Sequence, residues 1–569
     1  MLFRRFRWRC GTFSTLGGNA FFAKKVRNIQ QAASGPPAHL VYDPSQLPDV
    51  ATLLLVAKSA VSSDFKDQAF WQACSLQARK LCGADANLLA LARYAVAAAT
   101  VHHQDTELMY NIGDMAVAGA ERNFLDAESI MLILQSHAIL AFRNDRVLRK
   151  LELVLFEMLQ QSKATAACLS SSLLSLSQLF SASVLPDVDQ ALEYSRQELI
   201  DGAARVCLEH ISFFTAAQLC EVLEAMATFK VRGDRQVSAL FFGIGNSLAR
   251  QTSTLSSKDC GTISRAFAAC RVHDEKILSS LAFRLRDKEV RRDLTAQDLA
   301  NVLYGFAKFT SQDIALLDLL SIEVRRHLHA LDVRLMSSTL ASLAKCGVSC
   351  PVLTGRATQM LRRPGPKLEA NEEDREVQRV CNLSLGTFNE LLSLTMAFAK
   401  FQVRDSRLHE RLAESLLQCQ ENDQAALEFR TCTDLVNVVH AFAKVHQAPI
   451  QLLGTVIRLL RLRPPGEFST RDAVKLLHAL AKIEYTILPD DKKYILLALG
   501  PEQLKELGVF ELLKLAVAAR KLGFELPSLE TQVGVILPNE PPLKSDSPQR
   551  RPTAKKQRRK SARKQKWTW

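Results

Sequence analysis

One short stretch, Thr433–Lys444, recurs with variation along most of the chain and restricts the folds open to it. Its apolar residues, Leu435, Val438, Val439 and Phe442, are spaced three or four apart, which places them on one side of an α-helix. The alanines on either side of Phe442 are small enough for a neighbouring helix to approach closely. The stretch therefore predicts a helix that packs closely against another helix.

Copies of this stretch end at near-constant intervals. The interval is 37 to 46 residues, except for one of 55 that contains a charged, proline-containing insertion at 362–379. An interval of this size corresponds to one helical hairpin, and a series of such hairpins stacks into a solenoid. The sequence thus predicts an all-α fold, an α-solenoid of about 11–12 degenerate helix-turn-helix repeats with a period of roughly 37–42 residues. The copies end at Lys58, Thr100, Ala141, Ala182, Thr228, Ala269, Lys308, Lys345, Lys400, Lys444, Lys482 and Ala519.

Each repeat also carries signals for where its two helices begin. Four hydroxyl residues stand three positions before an acid or an amide, which is the pattern of a capping box at a helix N-terminus. A short polar break follows the first helix, and an aspartate in it is placed to cap the second helix, as for predicted helices at 275–285 and 406–418. The box pairs are Thr215 with Gln218, Thr295 with Asp298, Thr387 with Glu390 and Ser469 with Asp472, and the aspartates are Asp234, Asp274 and Asp405.

The two ends of the chain differ from the repeats. Residues 1–35 are arginine-rich, and no acid precedes Asp43, which is typical of a mitochondrial presequence and predicts the mitochondrial matrix. A basic RNA-binding arm kept in the mature protein is the alternative. We expect degenerate helical repeats over 41–200, clearer repeats over 205–535, and a proline-rich basic tail over 537–569 that is disordered in isolation.

The net charge of +14 is unevenly distributed. Residues 1–40 carry +7 and residues 545–569 carry +9, so residues 41–544 carry −2. The repeats are nearly neutral, so the overall basicity is weak evidence that they bind nucleic acid. The tail is predicted to bind RNA phosphates without sequence preference, with a tail of no function as the alternative. The candidate RNA-binding residues in it are Arg550, Arg551, Lys555, Lys556, Arg558, Arg559, Lys560, Arg563, Lys564 and Lys566.

The sequence contains no motif for catalysis or for a cofactor. Gly-x-Gly-x-x-Gly, Walker and Gly-x-Ser-x-Gly patterns are all missing from it. The thirteen cysteines form no Cys-x-x-Cys pair, so they predict buried thiols in a reducing compartment instead of zinc ligands or disulfides. No stretch approaches 18 apolar residues. We therefore expect a protein that is not an enzyme and has no cofactor, metal site, membrane insertion or small-molecule substrate.

A candidate binding surface lies along one side of the first helices. The residues four and seven positions before the lysine of the repeat share its side of the helix. Stacked helices lie about 8–10 Å apart, so a column of lysines can follow the phosphates of a single RNA strand, while Tyr304, His440 and His478 stack on bases. The candidate residues are Arg265, Asn301, Tyr304, Lys308, Lys345, Lys400, Asn437, His440, Lys444, Lys475, His478 and Lys482.

The same lysines also have a purely structural interpretation. A lysine near the end of a helix stabilises the negative end of the helix dipole, and its aliphatic part can cover apolar surface of the next repeat. Moreover, Ala341 and Met396 interrupt the column where a base-reading code would place polar residues. If RNA binds here, contacts with its backbone should dominate.

The repeat resembles those of the heptatricopeptide and octotricopeptide repeat families and the helical part of FAST-kinase-like proteins. The resemblance covers most of residues 45–535 and implies an organellar α-solenoid that associates with RNA, either in RNA stability, processing or translation or as a component that holds ribosomal RNA. Many such proteins end in a RAP domain, whereas only the basic tail follows Gln532 here, which argues against nuclease-like activity and favours a scaffold. The matching stretches are 299–309, 391–401, 434–445 and 472–483.

Two functions follow as expectations. The first is a mitochondrial RNA-binding protein, a structural component associated with ribosomal RNA, whose partners are RNA and other subunits of a mitochondrial ribonucleoprotein. A factor for RNA stability, processing or translation is an alternative within this class. The second is a protein–protein scaffold in which the lysines only increase solubility. The near-neutral repeats favour a subunit of a larger particle with mixed contacts.

Overall fold

The computed structural model divides at Leu385 and Gly386 into an N-terminal and a C-terminal unit. The expected presequence, the insertion after Arg362, the cap at Asp234 and the basic tail lie outside the residues that the structure describes. These described residues are 42–83, 87–161, 164–181, 190–229, 235–309, 313–362, 383–421, 424–524, 526 and 529.

The described part of the N-terminal unit is a series of eight helical hairpins. Each hairpin consists of a first helix, a short turn and a second helix. The first helices are α1, α3, α5, α7, α9, α11, α14 and α16, and the short helix α13 follows the second helix α12. The helices are α1 (Val50–Ser62), α2 (Gln68–Leu81), α3 (Leu88–Thr100), α4 (Thr106–Glu121), α5 (Ala127–Leu140), α6 (Asp145–Gln160), α7 (Ala166–Ser181), α8 (Gln190–Glu209), α9 (Ala216–Thr228), α10 (Arg235–Arg250), α11 (Ser257–Cys270), α12 (Glu275–Leu285), α13 (Lys288–Arg292), α14 (Ala296–Lys308), α15 (Ile314–Arg326), α16 (Val333–Lys345) and α17 (Pro351–Leu361).

The C-terminal unit repeats the same arrangement. Its first helices are α18, α20, α22 and α25, and its second helices are α19, α21 and α23, with a short α24 before the last first helix. Two-residue strands, β1 (Gln420–Glu421) and β2 (Gln424–Ala425), pair antiparallel in the link between two hairpins. The helices are α18 (Phe388–Lys400), α19 (Ser406–Gln418), α20 (Cys432–Lys444), α21 (Ile450–Arg461), α22 (Thr470–Lys482), α23 (Pro489–Leu497), α24 (Pro501–Lys505) and α25 (Val509–Leu522).

Within each unit the helices form two layers. Each first helix packs on the first helices of the hairpins before and after it within its unit, and the second helices pack on one another in the same order, with α13 between α12 and α15. The apolar stripe of α20 (Leu435, Val438, Val439 and Phe442) is buried between its neighbours. The predicted all-α solenoid of helical hairpins is therefore confirmed, because each copy buries its apolar side mainly against adjacent copies.

The predicted capping residues begin the helices as expected. Complete capping boxes occur at Thr215, Thr295 and Thr387, and Asp405 accepts a hydrogen bond at the start of α19. Ser469 departs from the complete box. Its hydroxyl caps α22, but the carboxylate of its box partner Asp472 accepts a hydrogen bond from the Thr433 hydroxyl of the preceding first helix, at 2.9 Å. The same carboxylate oxygen also accepts a hydrogen bond from the Ser469 hydroxyl at 2.8 Å, so the box acid contacts the cap and links two hairpins.

All twelve first helices share a common register. The thirteenth residue after the capping residue, as from Thr431 to Lys444, lies at or near the helix end, and we call it the end position. Among the described residues, nine hairpins have a left-handed backbone two residues further on, such as φ 58° at His446. This register places the fainter copies at residues different from those predicted. The end positions are Ser62, Thr100, Ile139, Gln178, Thr228, Ala269, Lys308, Lys345, Lys400, Lys444, Lys482 and Lys521.

The predicted repeat ends at Lys58, Ala141 and Ala519 are therefore shifted by two or four residues from the structural end positions, and the predicted end at Ala182 lies outside the described residues. The sequence pattern placed three of these repeat ends at alanines. In the structure, the position of each helix end is set by the capping residue at its start and by the left-handed residue after it. At the C-terminal end, for instance, Gly508 caps α25 and Gly523 is left-handed at φ 67°, which makes Lys521 the end position.

A small residue occupies the position three before every end position. At Gly305 of α14 the reason is visible, because a Cβ there would lie 2.7 Å from the carbonyl oxygen of Ser264 in α11. Close approach of successive first helices thus depends on this position. The residues are Ser59, Ala97, Ser136, Ser175, Ala225, Ala266, Gly305, Ser342, Ala397, Ala441, Ala479 and Ala518.

Candidate nucleic-acid interface

The end positions divide the hairpins into two groups. None of the first six carries a lysine, whereas all of the last six do, from Lys308 to Lys521. Every first helix has the same dipole, with its negative end at the end position. The first six hairpins manage without a lysine there, so the dipole alone does not explain the six lysines that follow.

In the first six hairpins, two arginines on this side of the first helices are neutralised by ion pairs. The guanidinium of the candidate residue Arg265 forms an ion pair at 3.1 Å with Glu224 of the preceding first helix. Arg93 likewise pairs with Glu128 at 2.7 Å. The pKa of Lys58 is lowered first by burial and then by Arg93, while Glu128 acts in the opposite direction. These hairpins present mixed charge.

The remaining candidates of the N-terminal unit lie on its last two first helices. The amide oxygen of Asn301 accepts a hydrogen bond from Gln297 one turn earlier, at 3.0 Å. Tyr304 is 38% exposed, and its ring is accessible from solvent one turn before the half-buried Lys308. Lys345 on the following first helix is exposed. Together they give a short polar surface with one aromatic side chain.

In the C-terminal unit, basic residues lie on the same side of all four first helices. The four first helices α18, α20, α22 and α25 stack in order, and each contributes at least one lysine. We call this set the C-terminal basic ridge. It consists of Lys400, His440, Lys444, Lys475, His478, Lys482, Lys514 and Lys521.

Six of the predicted residues come together on two adjacent helices of this ridge. Asn437, His440 and Lys444 of α20 face Lys475, His478 and Lys482 of α22. The Lys475 ammonium donates a hydrogen bond to Oδ1 of Asn437. The Lys482 ammonium lies 3.4 Å from the carbonyl oxygen of Lys444, at the end of α20. The second contact agrees with the structural role proposed for the lysines, because it stabilises a helix end.

The electrostatics of the ridge are those of like charges held close together. Burial lowers the pKa of Lys444, and Lys400, Lys475 and Lys482 lower it further. The pKa of His440 falls to about 4, chiefly through burial and then through four basic neighbours, which are Lys444, Lys475, His478 and Lys482. No carboxylate contributes to either shift. Such an unbalanced cluster favours the binding of an anion.

The sequence pattern missed two ridge residues, Lys514 and Lys521. They were missed because the last repeat was placed two residues too early, at Ala519. Lys514 lowers the pKa of His478 after burial, so it lies beside the ridge residues of α22. Lys521 pairs with Glu484 at 3.0 Å. The capping residue Gly508 and the left-handed Gly523 were the signals that could have located both.

The described residues show no other site of this kind. Of the eleven cysteines within them, nine are buried, and burial raises the pKa of Cys74 and Cys207 to about 12. No group of three His, Cys, Asp or Glu side chains able to hold a metal occurs in this part of the chain. Among the same residues, no helix combines the length and the apolar character needed to cross a bilayer.

Comparison with known proteins provides no further guide to the role of this surface. No family model matches the sequence, and no curated protein is detectably similar to it. The resemblance to organellar helical-repeat families therefore stays a prediction from the repeat pattern.

Proposed function

We propose that this protein binds RNA in mitochondria through its C-terminal basic ridge, as a structural component associated with ribosomal RNA. The observation that supports the proposal best is the unbalanced cluster around Lys444. Its basic neighbours repel one another, and a phosphate backbone placed over them would relieve that repulsion. The predicted presequence and the basic tail support a location and a partner of the same kind.

The cluster of basic residues around Lys444 reduces the stability of the fold, which argues against solubility as its only purpose. Half-buried lysines that lower one another's charge stabilise the fold less than exposed lysines would. Ion pairs of the type Arg265–Glu224 or Arg93–Glu128 were available to the same fold, as the N-terminal unit shows. Their replacement by lysines and histidines on α20 and α22 fits a surface that receives its counterion from a partner.

Crosslinking tests this proposal directly. RNA is crosslinked to protein by ultraviolet light in isolated mitochondria, and the adducts are mapped by mass spectrometry. We expect adducts on peptides that contain Lys400, Lys444 or Lys482. Adducts found only between residues 550 and 566 would reject the ridge and leave a tail that touches RNA without specificity.

Sedimentation distinguishes the ribosomal role from other roles in RNA metabolism. The native protein is expected to sediment with a ribosomal subunit in a gradient and to shift to light fractions after ribonuclease treatment. Sedimentation with small ribonucleoproteins instead would favour a factor for RNA stability, processing or translation. Sedimentation that ribonuclease does not change would favour the second candidate function below.

A protein–protein scaffold is the second candidate, and one observation favours it. Successive second helices α8, α10, α12 and α15 of the N-terminal unit expose large apolar side chains, the most exposed being Phe283 at 74%. Exposed apolar side chains that recur on neighbouring helices are typical of protein contacts. Charged substitutions at Phe242 and Phe283 that release protein partners, with RNA adducts unchanged, would support a scaffold role. The residues are Leu208, Phe242, Phe283 and Ile322.

A further inference from the structure

The pair Asn437 and Lys475 makes one point of the C-terminal basic ridge chemically distinct. Asn437 lies on α20 and Lys475 at the equivalent place on α22, seven residues before their end positions. Lys475 can only donate hydrogen bonds, so the amide of Asn437 must turn its oxygen toward Lys475. The amide NH2 group of Asn437 and the remaining N–H groups of Lys475 then point elsewhere. The pair therefore presents donors from both side chains to a ligand, beside the second lone pair of Asn437 Oδ1.

The neighbours of this pair are suited to a nucleotide. One turn further along the same helices lie His440 and His478, and one more turn leads to Lys444 and Lys482. Burial and the surrounding lysines lower the pKa of His440 to about 4, so its imidazole is neutral at pH 7 and can stack on a base. Along each helix, a hydrogen-bond donor is followed by an imidazole ring and then by a lysine. In one nucleotide these groups can contact the edge of the base, the face of the base and the phosphate, respectively.

Donors alone select among the bases. Guanine presents two adjacent acceptors, O6 and N7, and lysine is a frequent partner of that edge. Asparagine normally reads adenine by donating to N7 and accepting from the N6 amino group, but here Oδ1 also accepts from Lys475, whose further N–H groups would meet no acceptor at N6. The corresponding edges of cytosine and uracil offer an amino donor or a single acceptor. On this edge the donor pair therefore favours guanine over the other three bases, and the cytidine oligonucleotide tests the Watson–Crick edge of cytosine, whose N3 and O2 atoms are also adjacent acceptors.

We propose that Asn437 and Lys475 recognise a guanine base in single-stranded RNA, through its O6 and N7 atoms, with the base stacked on the histidines beside them. This inference rests on the proposed function, since it assumes that RNA lies on the ridge. It adds a base preference at one pair of hairpins to binding that is otherwise directed at the backbone.

The test uses the full-length chain and labelled oligouridines that carry one central guanosine, adenosine or cytidine, with affinity measured by fluorescence anisotropy. We expect guanosine to be preferred by roughly five- to hundred-fold, the range for a bidentate base contact. Inosine keeps O6 and N7 and should bind like guanosine. 7-Deazaguanosine lacks the N7 acceptor and should lose most of the preference.

Two variants assign the preference to this pair. Lys475→Met should abolish it. Lys514→Met removes a lysine from the equivalent place on the next first helix, so it should weaken all oligonucleotides equally and leave the preference intact. Melting curves of both variants check that each is folded, and the base analogues test the wild-type chain independently of any variant.

The results distinguish failure of the guanine site from failure of the proposed function. Equal binding of guanosine, adenosine and cytidine, or a guanosine preference that survives Lys475→Met, would overturn the guanine site and leave RNA binding by the ridge in place. A preference for cytidine would overturn it as well. If the wild-type chain bound none of the oligonucleotides, the proposed function itself would fail, and this inference with it.

Discussion

The lysines at the ends of the first helices have two opposing effects, one that stabilises the fold and one that favours the binding of an anion. A lysine at a helix C-terminus typically stabilises it by about 0.3–1 kcal/mol, so each end lysine has a modest structural role. Lys482 shows that role through its contact with the carbonyl oxygen of Lys444. The depressed pKa of Lys444 shows the opposing effect, because its burial and the nearby lysines disfavour its charge. The C-terminal basic ridge therefore contains more positive charge than the stability of its helix ends needs.

The buried histidine His137 leads to a prediction about acid stability. Its Nδ1–H donates to the carbonyl oxygen of Ile133 at 2.8 Å, and burial lowers its pKa to about 4, against about 6.5 in the unfolded chain. Between these values the unfolded chain binds more protons, so the stabilising contribution is present above pH 6.5 and is lost as the pH falls toward 4. The loss amounts to at most about 3 kcal/mol.

Urea denaturation of the wild type and of His137→Gln across this pH range measures the effect. The wild type should lose stability more steeply than the variant between about pH 6.5 and 4. His329→Gln, at an exposed histidine, serves as the control and should follow the wild type. Parallel pH profiles for the wild type and His137→Gln would show that His137 is not buried in its neutral form.

At the scale of helices, the sequence predicted the elements better than their register. The helix bounds 275–285 and 406–418 agree with the structure, because an aspartate cap and a regular apolar stripe fix both ends. The register failed where repeats lack the Phe-Ala-Lys ending, as at Ala141 and Ala519. There the apolar stripe is compatible with several positions, whereas the capping residue permits only one.

Contacts between hairpins were the other part that the sequence did not reveal. Arg265 looked like a free cation, but its partner Glu224 lies 41 residues away on the preceding first helix. A pairing of this kind depends on how the two helices are aligned, which a repeat pattern with drifting intervals does not define. The hydrogen bond between Lys475 and Asn437 could not be predicted from the sequence for the same reason.

The small-residue position gives a prediction about helix stacking. A Cβ at Gly305 would lie 2.7 Å from the oxygen and 2.9 Å from the carbonyl carbon of Ser264, and this backbone cannot rotate away. Gly305→Ala must therefore push α14 from α11, with a loss of about 1–3 kcal/mol that a gain in helix propensity of up to about 1 kcal/mol offsets in part. We expect a lower melting temperature by circular dichroism.

A matched substitution controls for helix propensity. A Cβ at Gly454 in α21 would meet nothing within 4 Å, so Gly454→Ala should raise the melting temperature or leave it unchanged. If both variants shifted the melting temperature in the same direction, close approach at Gly305 would not limit the packing of the first helices.

For the molecule as a whole, the distribution of charge matters more than its sum. The chain has a net charge of +14, yet residues 41–544 carry −2 in total. Within that nearly neutral part, the lysines at end positions begin only at Lys308. Acidic residues near the starts of the first helices, such as Glu390 in α18, lie at the opposite ends of the helices from these lysines. Nearly neutral hairpins can thus present a basic surface within the C-terminal unit.

This arrangement predicts how RNA affinity depends on salt. For single-stranded RNA, the slope of log affinity against log salt changes by about 0.7 for each phosphate that the protein neutralises. Removing the tail at residues 537–569 deletes eleven basic residues, so it should reduce the slope by up to about 8 but leave measurable binding. Replacing Lys400, Lys444 and Lys482 together by Met should reduce the slope by about 2, because the ridge then neutralises about three fewer phosphates.

Two substitutions elsewhere serve as controls. Lys493→Met and Lys505→Met, on helices outside the first-helix layer and beside Asp490 and Glu502, should change neither affinity nor slope. If the truncated chain no longer bound RNA at any salt concentration, the ridge would have no RNA affinity of its own and the lysines at the helix ends would be structural.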